Sequence, residues 1–156
     1  MKKGKPLSAL ATDIKQGLAL GMEAFARDVV INLKMDGPYW TGEFEANWRI
    51  NLGWQREVEI LKQGLPQDYD TPASPRPGGG YTEFRVPRMS EDLEGYNIGN
   101  VMSYRNVATD LEPGEDGWRY DRDNPTAVQD WFTSYVLGVM EQDLIENIRA
   151  GLRLIR

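Results

Sequence analysis

Apolar residues at Leu7, Leu10, Ile14, Leu18, Met22, Phe25, Val29 and Leu33 recur at steps of three or four. That step holds one stripe on one face, so the pattern predicts a single amphipathic helix over residues 7–34. Ser8 is its candidate N-cap. Asp36-Gly37-Pro38 is its stop, with Gly37 as C-cap and Pro38 unable to continue the hydrogen-bond ladder. The period then changes to two. Trp48, Ile50 and Leu52 alternate with Arg49 and Asn51, as a strand with one buried face requires. Gly53 interrupts, and mixed alternation resumes through Ile60, giving either one long bent strand or a hairpin. Tyr81–Val86 alternates again until Pro87, and Tyr96–Val101 is a further strand, with a short helix possible before Leu111. The helical period returns at the end. Asn124-Pro125 offers an N-cap and a proline in the first helical position. Val128, Trp131, Phe132, Tyr135, Val136, Val139, Met140, Leu144, Ile148, Leu152 and Ile155 then form an apolar stripe.

Strands grouped between two flanking helices predict one α+β domain over residues 1–156. Its long N-terminal and C-terminal helices pack on a small antiparallel sheet. The joint between first helix and first strand is Trp40–Ile50, where Thr41-Gly42 allows a sharp turn and Trp40, Phe44 and Trp48 supply aromatic anchors. Residues 62–80 do not fit either period. Pro66, Pro72, Pro75 and Pro77, with Gly64 and Gly78-Gly79-Gly80, exclude a helix or a central strand. This Pro/Gly-rich stretch reads as a surface loop, or as an arm that orders against a neighbouring subunit. The glycines lack the Lys-Ser/Thr that would follow in a phosphate-binding loop.

Composition narrows the chemistry. The chain has no Cys and no His, which excludes disulfides, thiol nucleophiles, Cys/His zinc sites and histidine acid–base catalysis. No apolar run approaches the roughly 18 residues needed to span a bilayer, and the basic start is not followed by a signal core, so a cytoplasmic protein without a membrane partner is expected. The net charge of −6 argues against a nucleic-acid binder acting through a basic surface. From Glu91 to Asp123 there are nine acids and three arginines, which alone accounts for that charge, while both ends are basic. The pairs Glu43/Glu45, Asp68/Asp70, Asp110/Glu112 and Asp121/Asp123 have the two-residue spacing that lets carboxylates converge on a strand. None has a further signal of catalysis or metal binding, and Asp121-Arg122-Asp123-Asn124 lacks the glycine and closing Glu of a calcium loop. The expectation is no enzyme, no cofactor and no metal. Five Trp and seven Tyr remain to be placed. Trp40, Trp118 and Tyr120 sit beside predicted turns, as core residues or as anchors of an interface.

Three stretches together resemble a family. Gly37-Pro38 and Thr41-Gly42-Glu43-Phe44 after a long helix, then Asn47-Trp48-Arg49-Ile50, are similar to a pattern in tail-completion or neck proteins of tailed bacteriophages, of the lambda-like minor tail protein Z type. Asn100-Val101-Met102-Ser103-Tyr104 and Leu111-Glu112-Pro113-Gly114 look like the family's later motifs, and the last helix matches in position. The chain departs from the pattern in the wider gap between Tyr104 and Leu111 and in the Pro-rich segment from Pro66 to Gly80. The resemblance implies a structural virion protein of the neck or tail junction, assembled in the host cytoplasm. It implies a homo-oligomeric ring, commonly hexameric, in contact with other neck, portal-adaptor or tail-tube proteins, with DNA only as passing cargo. Gly42, Trp48, Tyr104, Leu111, Glu112 and Gly114 then carry the structural motif. Trp40, Glu43, Glu45, Arg49, Trp118 and Tyr120 become candidates for contacts between subunits. The alternative is a non-catalytic subunit or protein-binding module of a non-viral complex.

Overall fold

The computed structural model describes residues 5–37, 43–53, 84–90, 95–100 and 131–155. The 62–80 arm, the continuation through residue 60, the Asn124-Pro125 helix start, and Trp40, Gly42, Tyr104, Leu111, Glu112, Gly114, Trp118 and Tyr120 lie outside them.

Helix α1 (Leu7–Asp36) follows the predicted stripe. At ~1.5 Å per residue it is about 45 Å long. Its start differs from the expectation. Pro6, not Ser8, is the capping residue, and no side chain caps the helix. Proline supplies the start through its fixed φ of −59°, and its carbonyl already accepts the Leu10 amide at 3.1 Å. Ser8 lies inside the first turn, where its own carbonyl accepts Thr12 Oγ1 at 3.2 Å. Gly37 ends the helix in extended backbone (φ −66°, ψ 158°). Space rather than φ requires glycine here. A Cβ would stand 2.7 Å from the Leu33 carbonyl oxygen and 3.2 Å from the Trp131 ring.

One helical turn, α2 (Glu43–Ala46), leads into β1 (Trp48–Leu52). Positions 43 and 45 thus lie on a helical turn rather than on a strand, where a spacing of two would have put them on one face. β1 pairs antiparallel with β2 (Tyr96–Asn100), Trp48 opposite Asn100 and Leu52 opposite Tyr96. Gly53 (φ 73°) and Gly95 (φ 89°) close the far end, joined by a 3.0 Å bond from the Gly53 amide to the Gly95 carbonyl. Both take the left-handed region that side chains disfavour.

Of the strand expected over Tyr81–Val86, residues 81–83 lie outside the described residues, and residues 84–90 form no ladder but run along α1 as a strap. The Met89 amide donates to Glu23 Oε1 at 2.8 Å, Tyr96 donates to the Pro87 carbonyl at 2.6 Å, and the Lys34 ammonium lies 5.6 Å from the Phe84 ring centre. Alternation recorded contact with a helix on one side, not pairing.

The last predicted helix is two, α3 (Trp131–Gly138) and α4 (Met140–Arg153), meeting at Val139. Gly138 adds no side-chain contacts and weakens the helix at the join. Glu141 and Asp143 then suit the positive end of a new helix. α4 lies antiparallel on α1, with Gly17 against Leu152 and Ile155 and Gly21 against Ile148. Val29, Leu33, Phe44, Trp48, Trp131 and Tyr135 make the core where α1, α2, β1 and α3 meet. Phe44 is its hub, edge-on to Trp48 at 5.7 Å and to Trp131 at 6.3 Å.

Asn100 ties the sheet to α2. Its buried amide donates to the Phe44 carbonyl at 2.7 Å. Asn100→Ala leaves that carbonyl with the Asn47 amide, at 3.3 Å, as its remaining donor, and is expected to cost about 1 kcal/mol in urea unfolding. A change below a few tenths would show that solvent reaches the carbonyl.

Candidate functional site

Two surfaces stand out, one at each end of α1. At its C-terminal end, Asn32, Asp36, Trp131, Ser134, Tyr135 and Val139 line a cleft of about 340 Å³. The α1 periodicity that buries Val29 and Leu33 places Asn32 and Asp36 on the adjoining face, and α3 supplies the aromatic wall. Behind it runs a polar network between helices. Asp143 Oδ2 accepts Asn32 Nδ2 at 3.2 Å and the Tyr135 hydroxyl at 3.3 Å. Asn147 Nδ2 donates to Asp28 Oδ2 at 2.8 Å and to the Asp143 carbonyl at 2.9 Å. These bonds fix the rotation of α4 against α1 and hold the cleft's floor.

Burial pushes the Tyr135 hydroxyl up to about 12; the Asn32 contact opposes this and the Asp143 charge adds to it. Tyr96 is also pushed up to about 12, by burial and then by Glu23. Both phenols are therefore neutral at physiological pH. Their folded-state values lie above the unfolded value of 10.0, so their contribution to stability is complete below pH 10 and is lost as pH rises toward 12. Stability is expected to fall across that window, and less steeply in Tyr135→Phe; equal slopes in pH-dependent unfolding would remove Tyr135 from the account. With the neutral Tyr135 phenol, the Asp36 carboxylate on its rim and apolar walls, the cleft is built to hold a group with an apolar stem and a positive or hydrogen-bonding head.

At the other end, Leu7, Leu10 and Ile14 are 84%, 46% and 43% exposed, and Leu154 beside the end of α4 is 71% exposed. Leu7, Leu10, Ile14, Gly17 and Gly21 form one unbroken three–four stripe. Its Gly17–Gly21 part packs on α4, and its first three members run on beyond the last turn of α4. The same face is thus buried along one half and bare along the other.

Of the residues expected at subunit contacts, Glu45 is buried within the chain itself. Arg49 is exposed and bonds its own strand, to the Trp48 carbonyl at 3.2 Å and Asn47 Oδ1 at 3.1 Å. Glu43 opens α2. Trp48 is core, and its buried indole N–H has no acceptor among the described residues. The cleft and the bare stripe were not expected. The stripe was signalled by the four-residue step between Gly17 and Gly21, small residues that let a second helix approach closely and so mark where α1's covered face begins. Among the described residues no helix is long and apolar enough to cross a membrane. The chain matches no family model, no curated protein and no solved structure.

Proposed function

We propose that this chain is a structural subunit of the neck or tail junction of a tailed bacteriophage, forming a ring that joins the head connector to the tail and lets DNA pass. The observation that carries the reading is the apolar stripe of α1 that outruns α4. A long helix with a bare leucine-rich face is what a subunit contact uses, and it adds to the sequence resemblance around Thr41-Gly42-Glu43-Phe44 and Asn47-Trp48-Arg49-Ile50. Head-to-tail contacts that close by rotation give such a ring. The acid-rich segment from Glu91 to Asp123 suits a lumen, where negative charge repels phosphates and keeps DNA moving. Other neck, portal-adaptor or tail-tube proteins are the partners in this reading, and the virion is the destination.

Native mass spectrometry and negative-stain microscopy of the full chain test it. Closed rings, or co-assembly with portal or tail-tube proteins, are expected. A stable monomer that takes up a single protein partner would replace it with the second reading, a non-catalytic binding module, for which the aromatic cleft is the favouring observation.

A further inference from the structure

We infer that the bare N-terminal stripe of α1 docks into the Trp131–Tyr135 cleft of a second copy of this chain. The inference deepens the ring reading and rests on it for self-assembly. Stripe and cleft lie at opposite ends of one continuous helix: Leu10 stands about 33 Å from Asn32 at ~1.5 Å rise per residue. A straight helix cannot bring its own start to its own end, so a molecule cannot fill its own cleft. The two surfaces complement each other in shape and in charge. Leu7, Leu10 and Ile14 form a narrow apolar ridge, and the cleft has apolar walls in Trp131, Tyr135 and Val139. Among the described residues up to Gln16 the charged ones are Lys5 and Lys15 against Asp13, with Lys5 paired to Asp13 at 2.7 Å. The cleft itself is lined, among the described residues, by one charged residue, Asp36, with Asn32 and Ser134 beside it. Beyond the Lys5–Asp13 pair the described ridge carries Lys15, and Asp36 is the charged residue that lines the cleft, so the two surfaces carry opposite charge. Each copy offers one of each, so the contact is heterologous and can repeat around a closed assembly.

The chain has no cysteine, so engineered thiols are unique. Leu10 and Val139 are both about half exposed, and cysteine there leaves the core untouched. Under mild oxidation the double variant Leu10→Cys/Val139→Cys is expected to give a ladder of covalent multimers on a non-reducing gel, reversed by thiol. Leu10→Cys mixed with Val139→Cys should stop at a dimer, and neither single variant should link to itself. Leu10→Glu, with unchanged circular dichroism, should weaken self-association about tenfold or more. Oligomers in native mass spectrometry without a 10–139 link, or with 10–10 links, would overturn the docking and leave the ring reading standing. Monomers at every concentration, with no link, would overturn both.

Discussion

Gly151→Val is expected to force α1 and α4 apart and to lower the melting temperature by roughly 6–12 °C. A Cβ on residue 151 would press on the Gly17 carbonyl oxygen, and it would stand 2.5 Å from the Gly21 nitrogen and 2.8 Å from the Gly21 Cα. All three are backbone atoms of a helix, which cannot turn aside as a side chain can. The crossing must open, and opening it lifts Ile148 from Gly21, where a Cβ would already stand 2.7 Å from the Ile148 Cα. It also strains the Asn147–Asp28 and Asn32–Asp143 bonds further along the same pair of helices. Overpacking at a rigid contact costs about 3 kcal/mol or more, against a total stability of roughly 5–15 kcal/mol. Gly138→Ala is the control. Nothing among the described residues lies within 4 Å of its Cβ position, so it is expected to hold stability or raise it by about 0.5–1 kcal/mol. If Gly151→Val melts with the wild type by circular dichroism, the helices do not cross at this distance.

Helix α1, the helical stretch that became α3 and α4, and the β1–β2 strands were legible because each is a local period; the single turn α2 and the break at Val139 were not. The stripe from Leu7 to Leu33 predicted α1 correctly, yet periodicity cannot say where a stripe's partner ends. The same spacing that buries Val29 and Leu33 leaves Leu7 and Leu10 in solvent, because α4 stops beside Gly17. Partner choice was equally hidden. Trp48–Leu52 and Tyr96–Asn100 each alternate, but their pairing joins residues about as far apart in sequence as Trp48 and Asn100, and nothing local encodes it. The strap at Phe84–Val86 alternates too, against a helix instead of a strand. The cleft is the extreme case. Asn32 and Asp36 come from one end of the chain and Trp131 and Tyr135 from the other, and they converge only because Gly17, Gly21 and Gly151 let the helices lie close. Aromatic richness did signal buried anchors, and Trp48 and Trp131 are such anchors; which carboxylates face outward was not readable, as the buried Glu45 shows.

Trp131→Ala is expected to be the costliest change in the core and the one that couples folding to the cleft. Trp131 is buried at the meeting point of α1, α2 and α3. Its ring stands edge-on to Phe44 at 6.3 Å and 89° and to Phe132 at 5.6 Å and 75°. It also closes against Gly37, where even a methyl group would come within 3.2 Å, so the backbone after α1 is shaped around the indole. Removing it leaves a cavity that neither a helix end nor an aromatic ring can collapse into, and such truncations cost about 3–5 kcal/mol. The denaturation midpoint should fall by that amount divided by m, with little change in m itself, since the surface exposed on unfolding is nearly the same. Trp131→Phe keeps a ring against Phe44 and should recover part of the loss. Because the indole is also a wall of the cleft, Trp131→Ala should abolish the 10–139 cross-link even at temperatures where circular dichroism shows the helices intact. A variant that loses less than about 1 kcal/mol would move the centre of the core away from Trp131 and onto the Phe44–Trp48 pair.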